Sequence, residues 1–132
     1  MLEVGIKGVF TTSVTEANIA KTMKSGELDV FATPALVAVM EAAAVNALEG
    51  KLDEGDSTVG GRIDVKHTAP SVIGAEVTAE AELIFTDGKK LVFKVAAKDN
   101  NGIIGEAEHE RFIINKAKFM SKAIIRSESS VK

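Results

Sequence analysis

The chain has 132 residues, 45% hydrophobic and 27% charged, with a formal net charge of −3. That is the length of one domain with an ordinary globular balance, too apolar for disorder and without the basic excess of a nucleic-acid binder. There is no Cys, no Trp and no Tyr, and the only two His are His67 and His109. Disulfides, thiol nucleophiles and Cys-ligated metal sites are excluded, and no multi-His metal site is expected. Chemistry is left to hydroxyls, carboxylates and two imidazoles.

Residues 1–10 contain no basic region followed by a long apolar stretch, so no signal peptide is expected. The most apolar segment, residues 34–45, is too short to span a bilayer and carries Glu41. The expected setting is cytoplasmic, with neither a membrane nor a nucleic acid as partner.

In chain order, residues 2–10 suit a first strand through Val4, Ile6, Val9 and Phe10. Thr15 is placed to cap a short helix over residues 16–24, with Gly26 just past its end. Thr33-Pro34 then predicts the start of a second helix, with Thr as N-cap and Pro at the first helical position. Residues 35–48 are rich in Ala and free of Gly and Pro, so helix propensity is high. Gly50 ends this helix, and residues 51–57 form a polar loop.

Four strands are predicted next. In residues 58–68, Val59, Ile63 and Val65 share a side with Gly61 and His67. In residues 75–86, Val77, Ala79, Ala81, Leu83 and Phe85 alternate with polar residues. Asp87-Gly88 predicts a tight turn. Residues 90–98 place Leu91, Phe93, Val95 and Ala97 on one face. A second turn covers residues 99–102, and residues 103–114 form the last strand, with Glu106, Glu108 and Glu110 on a solvated side. Asn115 is expected to cap a terminal helix through Ala123. The domain is read as residues 1–125, and residues 126–132 as a polar tail.

Charge is uneven along this order. Residues 1–66 carry six basic and ten acidic side chains, and residues 67–132 carry ten basic and nine acidic. From Arg111 onward six basic residues face Glu128 alone. A solvated helix face explains this, and so does a site for a phosphorylated ligand.

The second helix decides the fold class. Of the twelve residues 34–45, eleven are apolar and Glu41 is the exception. A helix apolar all round is expected to be buried all round. Four long antiparallel strands enclose such a helix only by curling around it. The expected class is therefore α+β with the hot-dog architecture, a curved antiparallel sheet wrapped around one central apolar helix. Such sheets normally cover their exposed edges by pairing in a homodimer.

Within that frame three residues carry candidate chemistry. A carboxylate among apolar neighbours is costly unless paired, hydrogen-bonded or protonated, which singles out Glu41. It could also sit at a rim and reach water. His67 sits at a strand end, just before Thr68-Ala69-Pro70; a lone His is as readily structural. Thr33 sits at a helix N-terminus, among unpaired N–H groups suited to an oxyanion. Thr33 and Glu41 are eight residues apart on one helix, about 12 Å along its axis, so they do not touch side by side. Either His67 lies between them or Glu41 acts across a dimer interface.

The segments Val30-Phe31-Ala32-Thr33-Pro34, Met40-Glu41-Ala42-Ala43, Gly60 and Val65-Lys66-His67-Thr68-Ala69 resemble the fluoroacetyl-CoA thioesterase-like branch of the hot-dog proteins. The likeness continues through Gly88-Lys89-Lys90-Leu91, Ala96-Ala97-Lys98-Asp99 and His109-Glu110-Arg111-Phe112. The resemblance implies a homodimeric acyl-CoA thioesterase with Thr33, Glu41 and His67 as the catalytic group, and with Gly60 where the backbone approaches the acyl group. It implies no metal and no separate cofactor, because coenzyme A arrives as part of the substrate. His67 is then the general base, Glu41 orients it or activates water, and Thr33 is either the nucleophile or a donor to the oxyanion. On charge alone, Arg111, Lys116 and Lys118 are candidates to meet the phosphates of coenzyme A. The family's fluoroacetyl-specific enzyme has bulky aromatic residues beside its glutamate and near its lid, whereas here Ala42, Ala43 and Ala44 follow Glu41 and Pro34 follows Thr33. These small residues permit a different or longer acyl group, short or medium in length. A non-catalytic acyl-CoA binding or sensing protein, an enoyl-CoA hydratase and a purely structural dimer are the alternative readings.

Overall fold

A computed structural model describes residues 2–129. The elements are β1 (Lys7–Ser13), α1 (Ala20–Met23), α2 (Thr33–Ala47), β2 (Asp56–His67), β3 (Glu76–Thr86), β4 (Lys90–Asp99), β5 (Gly102–Asn115) and α3 (Lys116–Ser129). The five strands form one antiparallel sheet in the order β1-β3-β4-β5-β2, curled around α2. This is the expected hot-dog architecture.

Alternation builds the inner face of the sheet. Val77, Ala79, Ala81 and Leu83 of β3 and Leu91, Phe93, Val95 and Ala97 of β4 are all at most 1% exposed. They meet Leu36, Val39, Met40, Ala43, Ala44 and Ala47 of α2. Phe85 departs from the expected pattern: the register slips between Leu83 and Phe85, which turns Phe85 to the outer face, 48% exposed.

The many alanines let α2 lie unusually close to the sheet. The closest approach is at Gly8 of β1, where a Cβ would collide with the backbone of Ala43 and Ala47. The Asn46 side-chain amide also donates to the Val9 carbonyl at 2.8 Å, tying helix to strand.

Several expected boundaries move. β1 starts at Lys7 and runs to Ser13. The first helix shrinks to four residues, because Thr15 is used in a turn in which its hydroxyl accepts from the Ala17 N–H at 3.1 Å. That helix ends on Lys24 in the left-handed region, φ 61°, rather than at Gly26. Asn115 caps α3 as expected, its side-chain oxygen accepting from the Lys118 N–H at 3.0 Å. The helix then continues past Ala123 to Ser129, so residues 126–129 of the expected tail are helical and residues 130–132 lie outside the described residues.

The expectation that α2 is buried all round is also corrected. Pro34, Ala38 and Val45 are exposed, and Val37, Glu41 and Ala42 are half-buried. A sheet of five strands covers one side of a helix, not its whole circumference. Ala43 and Ala44 point into the core, so of the three alanines after Glu41 only Ala42 adjoins the open side.

Gly8 gives the direct test of this packing. Gly8→Ala is expected to destabilise the fold by about 1–3 kcal/mol, as overpacking does where neither backbone can yield. A urea midpoint unchanged from the parent would contradict the close approach of β1 to α2.

Candidate active site

Two polar clusters interrupt the apolar surface where α2 meets β2 and β5. The first lies at the N-terminus of α2. Ala32, not Thr33, is the N-cap residue, accepting from the Leu36 N–H at 3.0 Å, and no side chain caps the helix. Thr33 is instead the first helical residue, and its hydroxyl is free for another partner. That partner is His67, the last residue of β2, with Thr33 Oγ1 and His67 Nδ1 2.8 Å apart. The chain turns just beyond, where the Thr68 N–H donates to the Ile104 carbonyl at 2.8 Å, and this fixes the ring against the helix end. The pair borders an open cleft of about 300 Å³ that also touches Phe31 and Ala69.

His67 Nε2 is buried and makes no hydrogen bond to a protein group. Burial holds the His67 imidazole below its ordinary value of 6.5, with the Ala69 backbone opposing the shift. The ring is therefore neutral at neutral pH and keeps a basic lone pair.

The second cluster lies two turns along α2. Glu41 Oε2 accepts from Arg111 Nη1 at 3.2 Å and lies 3.8 Å from His109 Nε2. Arg111 is 6% exposed and His109 1%. Two further guanidinium bonds go to Thr58, from Nε to Oγ1 at 2.9 Å and from Nη2 to the carbonyl at 3.1 Å. Arg111 Nη1 also reaches His109 Nε2 at 3.2 Å, while His109 Nδ1 meets the Arg62 carbonyl at 2.8 Å. Burial lowers the Arg111 pKa, and the Glu41 carboxylate works against that shift. Burial likewise lowers that of His109.

A bulge in β2 makes this cluster geometrically feasible. Gly60 pairs with Arg111 and Arg62 with Glu110, leaving Gly61 as the extra residue. The phase of the strand flips there. Thr58 and Gly60 before the bulge, and Ile63, Val65 and His67 after it, thus share the face toward α2, whereas Val59 does not join them as the simple alternation predicts. At Gly60 a Cβ would stand 2.5 Å from Glu41 Oε2, so a side chain there would shift the carboxylate from its present place.

Within one chain the structure joins Thr33 to His67 and Glu41 to Arg111, but it does not bring Glu41 to His67. Arg111, a candidate for coenzyme A phosphates on charge alone, is buried and paired with Glu41. Lys116 and Lys118 are exposed in the first turn of α3, as a solvent-facing role requires. Sequence reasoning missed Thr58 and His109. The signal for His109 was present: Ala107, His109, Arg111 and Ile113 take the phase opposite Glu106, Glu108 and Glu110, so two polar residues occupy the inward side of β5. Among the described residues no group of three or more His, Asp and Glu side chains is placed to hold a metal ion, and no helix is long and apolar enough to cross a membrane.

A curved antiparallel sheet around one helix is the hot-dog fold, and thioesterases of known structure share it. The family described as fluoroacetyl-CoA-specific thioesterase matches residues 14–117, and the chain belongs to it. The chain is 40% identical over 94 residues to a fluoroacetyl-CoA thioesterase of Streptantibioticus cattleyicolor, covering 71% of this chain and 68% of that one. A crystal structure of a variant of the fluoroacetyl-CoA-specific thioesterase FlK superposes with a TM-score of 0.89 at 31% identity, covering 96% of this chain and 98% of that one. Another FlK variant, in complex with acetyl-CoA, gives 0.90 at 30% identity, covering 95% and 98%. A thioesterase superfamily member from Thermus thermophilus gives 0.89 at 26% identity, covering 100% and 98%. The activity of the chain is acyl-CoA thioester hydrolysis.

The two lowered imidazoles set a pH dependence of stability. A histidine whose folded pKa lies below 6.5 takes up a proton more readily in the unfolded chain. Stability is then complete above the unfolded value and is lost as pH falls below 6.5 toward the folded values. Urea unfolding is expected to show lower stability at about pH 5.5 than at about pH 7.5, with a smaller difference in His109→Gln. An undiminished difference in that variant would mean that His109 is not held neutral by the fold.

Proposed function

We propose that the protein hydrolyses short or medium acyl-CoA thioesters at a site completed by two protomers. The observation that carries this reading is the Thr33–His67 hydrogen bond at the mouth of a cleft. His67 takes the Thr33 hydroxyl proton as Oγ1 attacks the thioester carbonyl, and the N-terminal end of α2 stabilises the oxyanion. The C–S bond breaks and the proton on His67 passes to the departing thiolate of coenzyme A. Water, activated by a carboxylate, then hydrolyses the acyl-threonine ester and regenerates Thr33. Coenzyme A is part of the substrate and no other cofactor takes part. Gly60 flanks the acyl group, and Lys116 and Lys118 meet phosphates of coenzyme A. Arg111 acts on the reaction only through Glu41.

The carboxylate is the partner subunit's Glu41. The support is geometric. The open stripe of α2 runs through Pro34, Ala38 and Val45 beside Glu41, and β2 is an edge strand. Apolar stripes and open edges of this kind are covered by a second copy in symmetric dimers. If two copies of α2 pack antiparallel about Val37, position 33 of one faces position 41 of the other. That contact removes the separation of about 12 Å that one helix imposes.

Thiol release from a panel of acyl-CoAs tests the reading, and stoichiometric binding without thiol release would favour a sensor instead. Glu41→Gln and His67→Ala are each expected to lower turnover at least ~100-fold. Wild-type turnover in both would refute the site. The kcat/KM profile is expected to stay level through neutral pH and to fall only below 6.5, where His67 protonates.

Mixing the two inactive variants tests the shared site. Random two-fold pairing makes half the dimers heterodimeric with one intact site each, so about a quarter of wild-type activity should return. No recovery after subunit exchange would place the carboxylate within the same protomer. Mass spectrometry of quenched enzyme is expected to find acylated Thr33, and Thr33→Ser to retain turnover that Thr33→Val loses.

A further inference from the structure

His109 takes no part in the chemistry just described, yet both of its ring nitrogens are engaged and it is almost completely buried. The Arg62 carbonyl only accepts hydrogen bonds, so the proton sits on Nδ1. In the neutral ring Nε2 is then a lone pair, directed at Arg111 Nη1 3.2 Å away. That nitrogen has two N–H groups. One goes to His109 and the other to Glu41 Oε2. The direction of the second is therefore set by the first. The carbonyl that fixes the tautomer belongs to the residue just after the β2 bulge, so the strand irregularity and the ring orientation are one feature.

We propose that His109 is a positioning residue for the reaction: held as the Nδ1–H tautomer by the Arg62 carbonyl, it aims Arg111 and through it fixes the Glu41 carboxylate. The charged groups around the ring are Glu41 from α2 and Arg111 and Glu110 on its own strand; β2 offers it the Arg62 carbonyl, and β4 presents Phe93 across the pair. Arg111 alone has a fork that could pivot about Thr58. The Nε2 lone pair removes that freedom at the one N–H-bearing nitrogen that touches the carboxylate. The assignment rests on the reading of Glu41 as a working group.

Two isosteric halves of the ring separate this role from simple core filling. Asn at 109 can keep the donor to the Arg62 carbonyl but offers Arg111 no acceptor at the Nε2 position. Gln can place its oxygen near the Nε2 position and keep the acceptor. With acetyl-CoA as the probe, His109→Asn is expected to lower kcat about 10-fold with KM within about twofold. His109→Gln is expected to retain kcat within about threefold of wild type. Equal losses in the two variants, or wild-type kcat in Asn, would overturn the proposal.

Nitrogen-15 NMR of the unmodified protein supplies a reading that needs no variant. The His109 ring is expected as the Nδ1–H tautomer, and an Nε2–H ring would overturn the proposal whatever the kinetics. Glu41→Gln is assayed alongside. If it keeps full turnover, the reading of Glu41 fails and this proposal with it. If it loses turnover while His109→Asn does not, this proposal alone fails.

Discussion

A guanidinium removed from water must find an acceptor for nearly every N–H, and meeting that demand for Arg111 organises the centre of this molecule. Its acceptors come from three elements: Thr58 on β2, His109 on β5 and Glu41 on α2. Thr58 and Ile63 can both face inward only if β2 changes phase between them, which is the work of the Gly61 bulge. The carboxylate keeps its present place against Arg111 because residue 60 has no side chain to displace it. Two adjacent glycines in a strand would ordinarily weaken it. Here they are the condition for pairing a buried charge.

The same pairing sets the rotation of α2. Eight residues turn an α-helix by about 80° beyond two full turns, so Thr33 and Glu41 stand on neighbouring lines of one side. Fixing Glu41 against Arg111 therefore also directs Thr33, and it directs it toward the end of β2, where His67 stands. The side opposite Pro34, Ala38 and Val45 carries Leu36, Met40 and Ala43 into the sheet, each fully buried. Burying side chains such as Leu36 and Met40 contributes about 1.5–3 kcal/mol each, enough to hold the helix while its other side stays open. On the proposed two-fold arrangement, that open side becomes the wall of two sites.

Much of this was legible in the sequence because the signals were local. The unbroken apolar run of α2, the alternation of β3 and β4 and the Asp87-Gly88 turn each predict their element. The hot-dog class followed from asking how such a helix could be enclosed. Thr33, Glu41 and His67 stood out as polar residues at apolar or terminal positions. What stayed hidden depends on irregularities that periodicity cannot locate. The bulges at Gly61 and near Ile84 reverse the facing of Val59 and Phe85. A cap was expected of Thr33 because Thr-Pro suits one, but the N-cap is Ala32, which leaves Thr33 inside the first turn with its hydroxyl on His67. Arg111 was grouped by charge with the lysines that follow it, although its strand phase already pointed inward.

The two histidines show how partners, rather than burial, separate a reactive imidazole from a fixed one. Both are neutral because burial opposes charge. His109 donates through Nδ1 and accepts through Nε2, so taking up a proton would break the bond to Arg111 and set two cations side by side. His67 has a hydroxyl at Nδ1, a group that can give up its proton as the ring accepts it. Its Nε2 is buried without a protein partner, so no bond at that nitrogen resists a change of ring charge. A buried polar atom left unsatisfied is destabilising and uncommon, and such atoms are expected where the chemistry needs them. Proton transfer therefore falls to His67, and the ring that is better satisfied is the one that can only hold its neighbours in place.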